Sequence, residues 1–270
     1  MFTADAKTYE RIGVHMQRVL IVDPQPAAVR LLSDLLRDVC RCQIWSAPGP
    51  DRGIDLAKSV VPQVIFVEQS AEVDGIGFTK TLRRSNLGCR QTPVIMLTAN
   101  ATTGTILAAR DAGAHEFLRK PYTIKDLVRR LEAVTLRPRD WIEAVGYIGP
   151  DRRRFNSGDY SGPLKRRTDA TETPDTAKLS QALKILKAAA QALDLDPMQA
   201  MRSMRAQADE CARCAMALAN SRLAAAAGEL QRVLRDADPK TIDRKALDHC
   251  ITGLWRFMPN DGSTGAAAAA

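Results

Sequence analysis

RVLIV at Arg18–Val22, VIFV at Val64–Val67 and VIML at Val94–Leu97 are three short, wholly apolar runs. Runs of four or five bounded by polar or turn residues have the length of strands buried on both faces. Between them lie stretches of helical period. Pro26–Cys40 places Val29, Leu32, Leu35 and Leu36 on one stripe, and Pro50–Val60, Gly75–Arg84, Thr102–Ala112 and Thr123–Val134 are further helices. Gln43–Ser46 and His115–Leu118 add two short strands. Strict alternation of strand and helix predicts an α/β fold, a doubly wound five-stranded parallel sheet over residues 17–137. Residues 1–16 are an N-terminal extension. In such sheets, ligands gather at the carboxyl ends of the strands.

The remaining chain changes character twice. Residues 138–175 carry an imperfect repeat, Tyr147-Ile-Gly-Pro-Asp-Arg-Arg-Arg154 and Tyr160-Ser-Gly-Pro-Leu-Lys-Arg-Arg167. Gly-Pro stops helices, so turns are expected in a basic linker. Residues 176–259 are rich in Ala, Leu and Met and predict an all-α helical domain. One stripe runs Leu179, Leu183, Leu186, Ala190, Leu193, and a second runs from Met201 to Val233 with a slip near Asn220-Ser221. The slip marks either a turn between two helices or a stutter in one. Thr241–Met258 is a last helix. Stripes of this kind need partners, so self-association through the helical domain is expected. Residues 260–270 are of low complexity and expected to be disordered.

Composition narrows the function. The chain has 270 residues, 45% hydrophobic and 26% charged, with a net charge of +8. That is ordinary for a globular protein, without a membrane span or a secretion signal, so a cytoplasmic location is expected. The surplus is spread over the chain, and nothing resembles a helix-turn-helix, so no DNA binding is expected. Six cysteines in such a chain are expected to be reduced thiols. Cys211-Ala-Arg-Cys214 with His249-Cys250 can be written as a zinc site, but small apolar side chains at i and i+3 of a helix explain it as well. No metal ligand set is therefore assigned. Cys89, in a polar stretch, is expected to be exposed, and Cys40 and Cys42 share one face of an extended segment.

Asp23 ends the first strand, Glu68 the third and Thr98 the fourth, and Lys120-Pro121 follows the fifth. Two acids, a hydroxyl and a lysine thus converge at one sheet edge. With Asp74-Gly75, Met96-Leu-Thr-Ala99 and Phe117-Leu-Arg-Lys-Pro121, residues 17–135 resemble the receiver domain of two-component response regulators. The resemblance implies a flavodoxin-like fold. It also implies an aspartyl phosphate pocket holding Mg²⁺, a switch formed by Thr98 and Phe117, and signalling partners such as a histidine kinase, a phosphotransfer protein or an adaptor protein.

The sequence departs from that family at the decisive positions. Glu68 stands where the phosphoacceptor aspartate is expected, and Pro24 where the second acid is expected. Mg²⁺ seeks octahedral oxygen ligation with carboxylate help, so its binding should be weak or absent, and no cofactor is assigned. The expectation is a degenerate pocket of Asp23, Glu68, Thr98 and Lys120 in a non-enzymatic pseudo-receiver acting by protein–protein interaction. Two alternatives stand beside it. One is an atypical phosphoreceiver. The other is a cyclic di-GMP sensor using Arg152, Arg153, Arg154, Arg166 and Arg167, since guanidiniums stack on bases and fork onto phosphates.

Overall fold

The computed structural model describes residues 6–152 and 173–259. They divide into two units. The first comprises residues 6–142 and 147–152, the second residues 143–146 and 173–259.

The first unit is built on five parallel strands: β1 (Arg18–Val22), β2 (Gln43–Ala47), β3 (Val64–Glu68), β4 (Val94–Thr98) and β5 (Glu116–Arg119). Their order is β2-β1-β3-β4-β5. Alternation along each strand divides the core. Val19, Ile21, Phe66, Ile95, Leu97 and Leu118 face α2 (Pro26–Val39) and α6 (Ile124–Thr135). Leu20, Val22, Ile65, Val67, Met96 and Phe117 face α3 (Pro50–Val60), α4 (Gly75–Arg84) and α5 (Thr103–Asp111). Strand and helix edges differ from the sequence expectation by a residue or two.

Three features go beyond that expectation. Residues 1–16 contain a helix, α1 (Ala6–His15), whose Ile12 is fully buried in the core beside α2 and α6, as is Met16 just beyond it. Cys89, expected to be exposed, is 2% exposed, because its thiol donates to the Ala57 carbonyl at 3.2 Å. The basic linker is not all turn, since β6 (Trp141–Glu143) pairs with β7 (Ile148–Pro150). Its first Tyr-x-Gly-Pro has a packing role. Gly149 lies where a Cβ would come within 2.7 Å of Gly113 Cα, and the Tyr147 hydroxyl donates to Pro150 O at 2.6 Å. Gly113 itself has φ +92°, a conformation that suits glycine.

The second unit contains α7 (Pro174–Gln191), α8 (Pro197–Ala217), α9 (Ser221–Arg235) and α10 (Arg244–Trp255). The slip near Asn220 is a turn between two helices: Ala219 adopts φ +50°, and the Asn220 side chain caps α9 by accepting from Leu223 N–H at 3.0 Å. The last helix is shorter than expected because Asp243 caps it, accepting from Lys245 and Ala246 N–H. Leu179, Leu183 and Leu186 share one core with Met201, Met204, Ala208, Leu223, Leu230 and Leu254. The stripes pack against one another within one chain. The Glu143 carboxylate is buried in this unit and accepts from Gln199 Nε2 at 2.8 Å.

Candidate functional site

Strand order reverses between β1 and β3, and such a switch point leaves a crevice at the strand ends. Pairing of Val22 with Val67 brings Asp23 and Glu68 side by side there. Pairing of Glu68 with Leu97 and of Thr98 with Arg119 aligns the next two strand ends. Lys120 N–H donates to Thr98 O at 2.8 Å, and the Lys120–Pro121 bond is cis.

Lys120 ties the crevice together. Its Nζ donates to Asp23 Oδ2 at 2.9 Å and is ion-paired with Glu68 Oε2. The other Asp23 oxygen, Oδ1, accepts from Gln25 N–H at 2.9 Å. Pro24, between them, has no N–H to offer. The side chains of Asp23, Glu68 and Lys120 are 2%, 8% and 23% exposed.

Two carboxylates around one ammonium leave a net negative charge. Burial pushes the Glu68 carboxyl up, and the negative Asp23 adds to this, while Lys120 only partly opposes it. Burial pulls Lys120 down, yet its hydrogen bonds to Glu68 and Asp23 outweigh that and hold the ammonium above its usual range. Tyr122, unnoticed in the sequence, flanks the crevice, and its phenol is raised, first by burial. Its position right after Lys120-Pro121 was the available signal.

The two residues expected to form a switch are placed differently from one another. Phe117 is buried, in the cluster with Met96, Ala109 and the partly buried Ala101. Thr98 is buried, but its Oγ1 accepts from Asn100 N–H at 3.1 Å instead of engaging the Glu68–Lys120 pair. Asp74 caps α4 by accepting from Gly77 N–H at 2.8 Å, so this oxygen is occupied in the cap.

The opposite end of the sheet holds a polar core that the sequence did not announce. Arg83 is 1% exposed and donates to Gly113 O, Arg90 O and Thr92 O at 3.0, 2.6 and 3.0 Å. Its guanidinium lies 5.3 Å from the Trp141 ring centroid, and burial pulls its pKa down to about 9. His115 packs beside it and is held neutral far below the usual histidine range, first by burial and then by Arg83 and Arg139. This is a structural cluster that fixes the β6–β7 hairpin.

Of the basic repeat, Arg152 is described. Its guanidinium stacks 4.9 Å from the Tyr147 ring centroid and pairs with Asp111 at 3.2 Å. Arg153, Arg154, Arg166 and Arg167 lie outside the described residues. Cys211 and Cys214 are buried in α8, with their thiols raised, first by burial, to about 12 and about 11. Among the described residues, no group of three or more His, Cys, Asp or Glu is arranged to hold a metal ion. No helix among them is long and apolar enough to cross a membrane.

Comparison with known proteins agrees with this architecture. The family model described as the response regulator receiver domain matches residues 19–132. The probable chemotaxis protein CheY of Rhizobium etli is 32% identical over 118 residues, covering 43% of this chain and 91% of the relative. The transcriptional regulatory protein CpxR of Escherichia coli is 30% identical over 128 residues, 47% of this chain and 53% of the relative. This chain therefore spans about half the length of CpxR. Among solved structures, Vibrio cholerae CheY4 aligns with a TM-score of 0.41 at 24% identity, covering 44% of this chain and 98% of that one. The strand order, the residues at the strand ends and the sequence matches agree: the chain belongs to the response regulator receiver family of two-component signalling.

Proposed function

We propose that this chain is a pseudo-receiver, a non-enzymatic regulator that signals through protein–protein contacts and not through ordinary aspartyl phosphorylation. The observation that carries the reading is Lys120 held between Asp23 and Glu68. In a receiver of the usual kind, the lysine pairs with the incoming phosphoryl group and carboxylates hold Mg²⁺. Here both acids already bind the lysine, and the second Asp23 oxygen is occupied by Gln25 N–H. A dication would have to displace the ammonium and would find no second acid at Pro24. Mg²⁺ prefers near-octahedral oxygen ligands, so this donor set does not fit it.

Glu68 stands in for the phosphorylated aspartate in this reading. Its carboxylate is one methylene longer than that of aspartate and meets the lysine a phosphoryl group would meet. The buried Phe117 is the accompanying support, since in receivers an inward strand-five aromatic goes with the phosphorylated state. A carboxylate carries one charge where a phosphoryl group carries nearly two, so the stand-in is partial. The partner is a signalling protein, whether a histidine kinase, a phosphotransfer protein or an adaptor, docking on the face of α5, β5 and α6. Arg152 is engaged by Tyr147 and Asp111, which favours a structural role for it over nucleotide binding.

Incubation with acetyl phosphate and excess Mg²⁺, followed by intact-mass analysis, tests the reading. The expected result is no added phosphoryl mass, with Glu68→Asp unchanged because Pro24 still lacks a carboxylate. Stoichiometric acid-labile phosphate on the unaltered chain would overturn it and restore a phosphorelay role.

A further inference from the structure

The one C-x-C motif among the six cysteines sits where α2 hands over to β2, remote from the strand-end crevice. Cys40 is the C-cap of α2, with φ −156° and ψ 160°, and its N–H donates to Leu36 O. Its side chain is buried, whereas Cys42 is half-buried. The extended conformation at Cys40 puts both thiols on one side, and each is the largest influence on the other's titration. They line an open cleft of about 650 Å³ together with Arg18, Arg37 and Arg41. Arg18 Nε is anchored on Val61 O at 3.1 Å, and Arg37 pairs with the exposed Asp34 at 3.0 Å.

We propose that Cys40 and Cys42 form a peroxide-reactive dithiol, with Cys42 as the attacking sulfur and Cys40 as the resolving one. A cleft lined by three arginines, with Arg37 acting directly on Cys42, favours a sulfur anion over a metal cation. The neighbouring Cys40 thiol is the largest influence holding the Cys42 thiol below its usual range. Arg37 acts in the same direction, and burial opposes them. Cys40 is held above its usual range by the neighbouring Cys42 and by burial, and it is the less accessible of the two thiols, which suits the resolving role.

The chemistry balances without help from the rest of the protein. The Cys42 thiolate attacks one oxygen of hydrogen peroxide. The S–O bond forms, the O–O bond breaks, and hydroxide leaves, giving a sulfenic acid. Cys40 then loses its proton and attacks the Cys42 sulfur. The S–S bond forms, the S–O bond breaks, and a second hydroxide leaves. Overall, two thiols and one peroxide become a disulfide and two waters, and peroxide is the oxidant consumed.

Closure needs the backbone at the exposed Arg41 to leave the extended form, because two extended residues separate Cα atoms by roughly 7 Å and a disulfide needs Cβ atoms about 3.5–4.5 Å apart. Cys40 Sγ also lies 3.8 Å from Met16 O, just past the end of α1. Closing the bond removes the S–H and with it this contact to the N-terminal segment. The other cysteines lack such a setting: Cys89, Cys211, Cys214 and Cys250 are all buried with raised thiols.

The test uses the full chain, treated with hydrogen peroxide at pH 7, quenched, alkylated and digested with trypsin. Trypsin cuts after Arg41, between the two cysteines, so a Cys40–Cys42 disulfide holds two tryptic peptides together as one species. That species is expected to appear while the other four cysteines remain alkylatable. Cys42 should oxidise at least about tenfold faster than Cys250. In Cys40→Ser, a sulfenic acid on Cys42 should be trapped by dimedone, and Arg37→Gln should slow the first step several-fold. Peroxide reactivity of Cys42 no greater than that of Cys250 would overturn the proposal. So would oxidation of Cys42 to sulfinic acid in the unaltered chain without the linked species, or a disulfide between two chains in its place.

Discussion

Replacing Lys120 by methionine isolates the interaction on which the pocket depends. The ammonium lies 2.9 Å from Asp23 and directly against Glu68. At an effective dielectric of about 20, one such contact is worth roughly 6 kcal/mol before desolvation. Burial of the three groups cancels much of that gross attraction. Removing the lysine restores none of the lost hydration, because it leaves two carboxylates facing each other in a site 2% and 8% exposed. Loss of one partner from a buried pair costs about 3–5 kcal/mol. The 23% exposure of Lys120 places this case at the lower end, about 3 kcal/mol. Glu68→Gln should cost under about 1 kcal/mol, since Lys120 keeps Asp23 and a neutral amide replaces a carboxyl that burial already disfavours. The double variant should recover a large part of the Lys120→Met loss.

The sign of the pH dependence follows from the same groups. Without the lysine, the upward push of burial on the Glu68 carboxyl is unopposed, so its folded pKa lies above its unfolded one. Its penalty is full above the folded value and fades as pH falls toward the unfolded range near 4.5. The cost of Lys120→Met should therefore shrink between pH 7 and pH 5. Urea unfolding followed by tryptophan fluorescence measures this. A Trp255→Phe background leaves Trp45 and Trp141 to report on the receiver unit. A loss below about 1 kcal/mol, or one independent of pH, would refute the coupled arrangement of Asp23, Glu68 and Lys120.

His115 should impose its own acid sensitivity. It is neutral when folded and protonates near pH 6.5 when unfolded, so its contribution is complete above pH 6.5 and falls below it, by up to about 1.4 kcal/mol per pH unit. His115→Gln should flatten receiver stability between pH 5 and pH 6.5 in urea titrations. Gly113→Ala combines a φ of +92° with a Cβ that would lie 2.3 Å from Ile148 O, and thermal unfolding should show a loss of about 3 kcal/mol. The helical unit buries its stripes within one chain, so its helicity by circular dichroism should be unchanged on dilution to nanomolar concentration. Loss of helicity on dilution would mean that a second copy completes that core.

The receiver fold was legible in local sequence because each buried strand needed only a short apolar run, and each helix a stripe. RVLIV and VIFV cannot face water on either side, so their alternation with helices left few topologies open. The strand-end acids, hydroxyl and lysine followed from that order, because register alone brings Asp23, Glu68 and Thr98 to one edge. Residues whose environment comes from distant segments were not legible. Arg83 gives no local sign of burial at the end of its helix, yet Gly113, Thr92 and Trp141 close over it. Cys89 looked exposed because its neighbours are polar, yet the Ala57 carbonyl receives it. The turn between α8 and α9 depended on the left-handed Ala219, a residue type that gives no local sign of it.

The sequence by itself determined that an aspartate, a glutamate and a lysine would meet at one sheet edge. Only the tertiary structure decided how they share charge. Lys120 is 97 residues from Asp23. Its choice to bind both carboxylates comes from the depth of the crevice, where unpaired charges cannot recover their hydration.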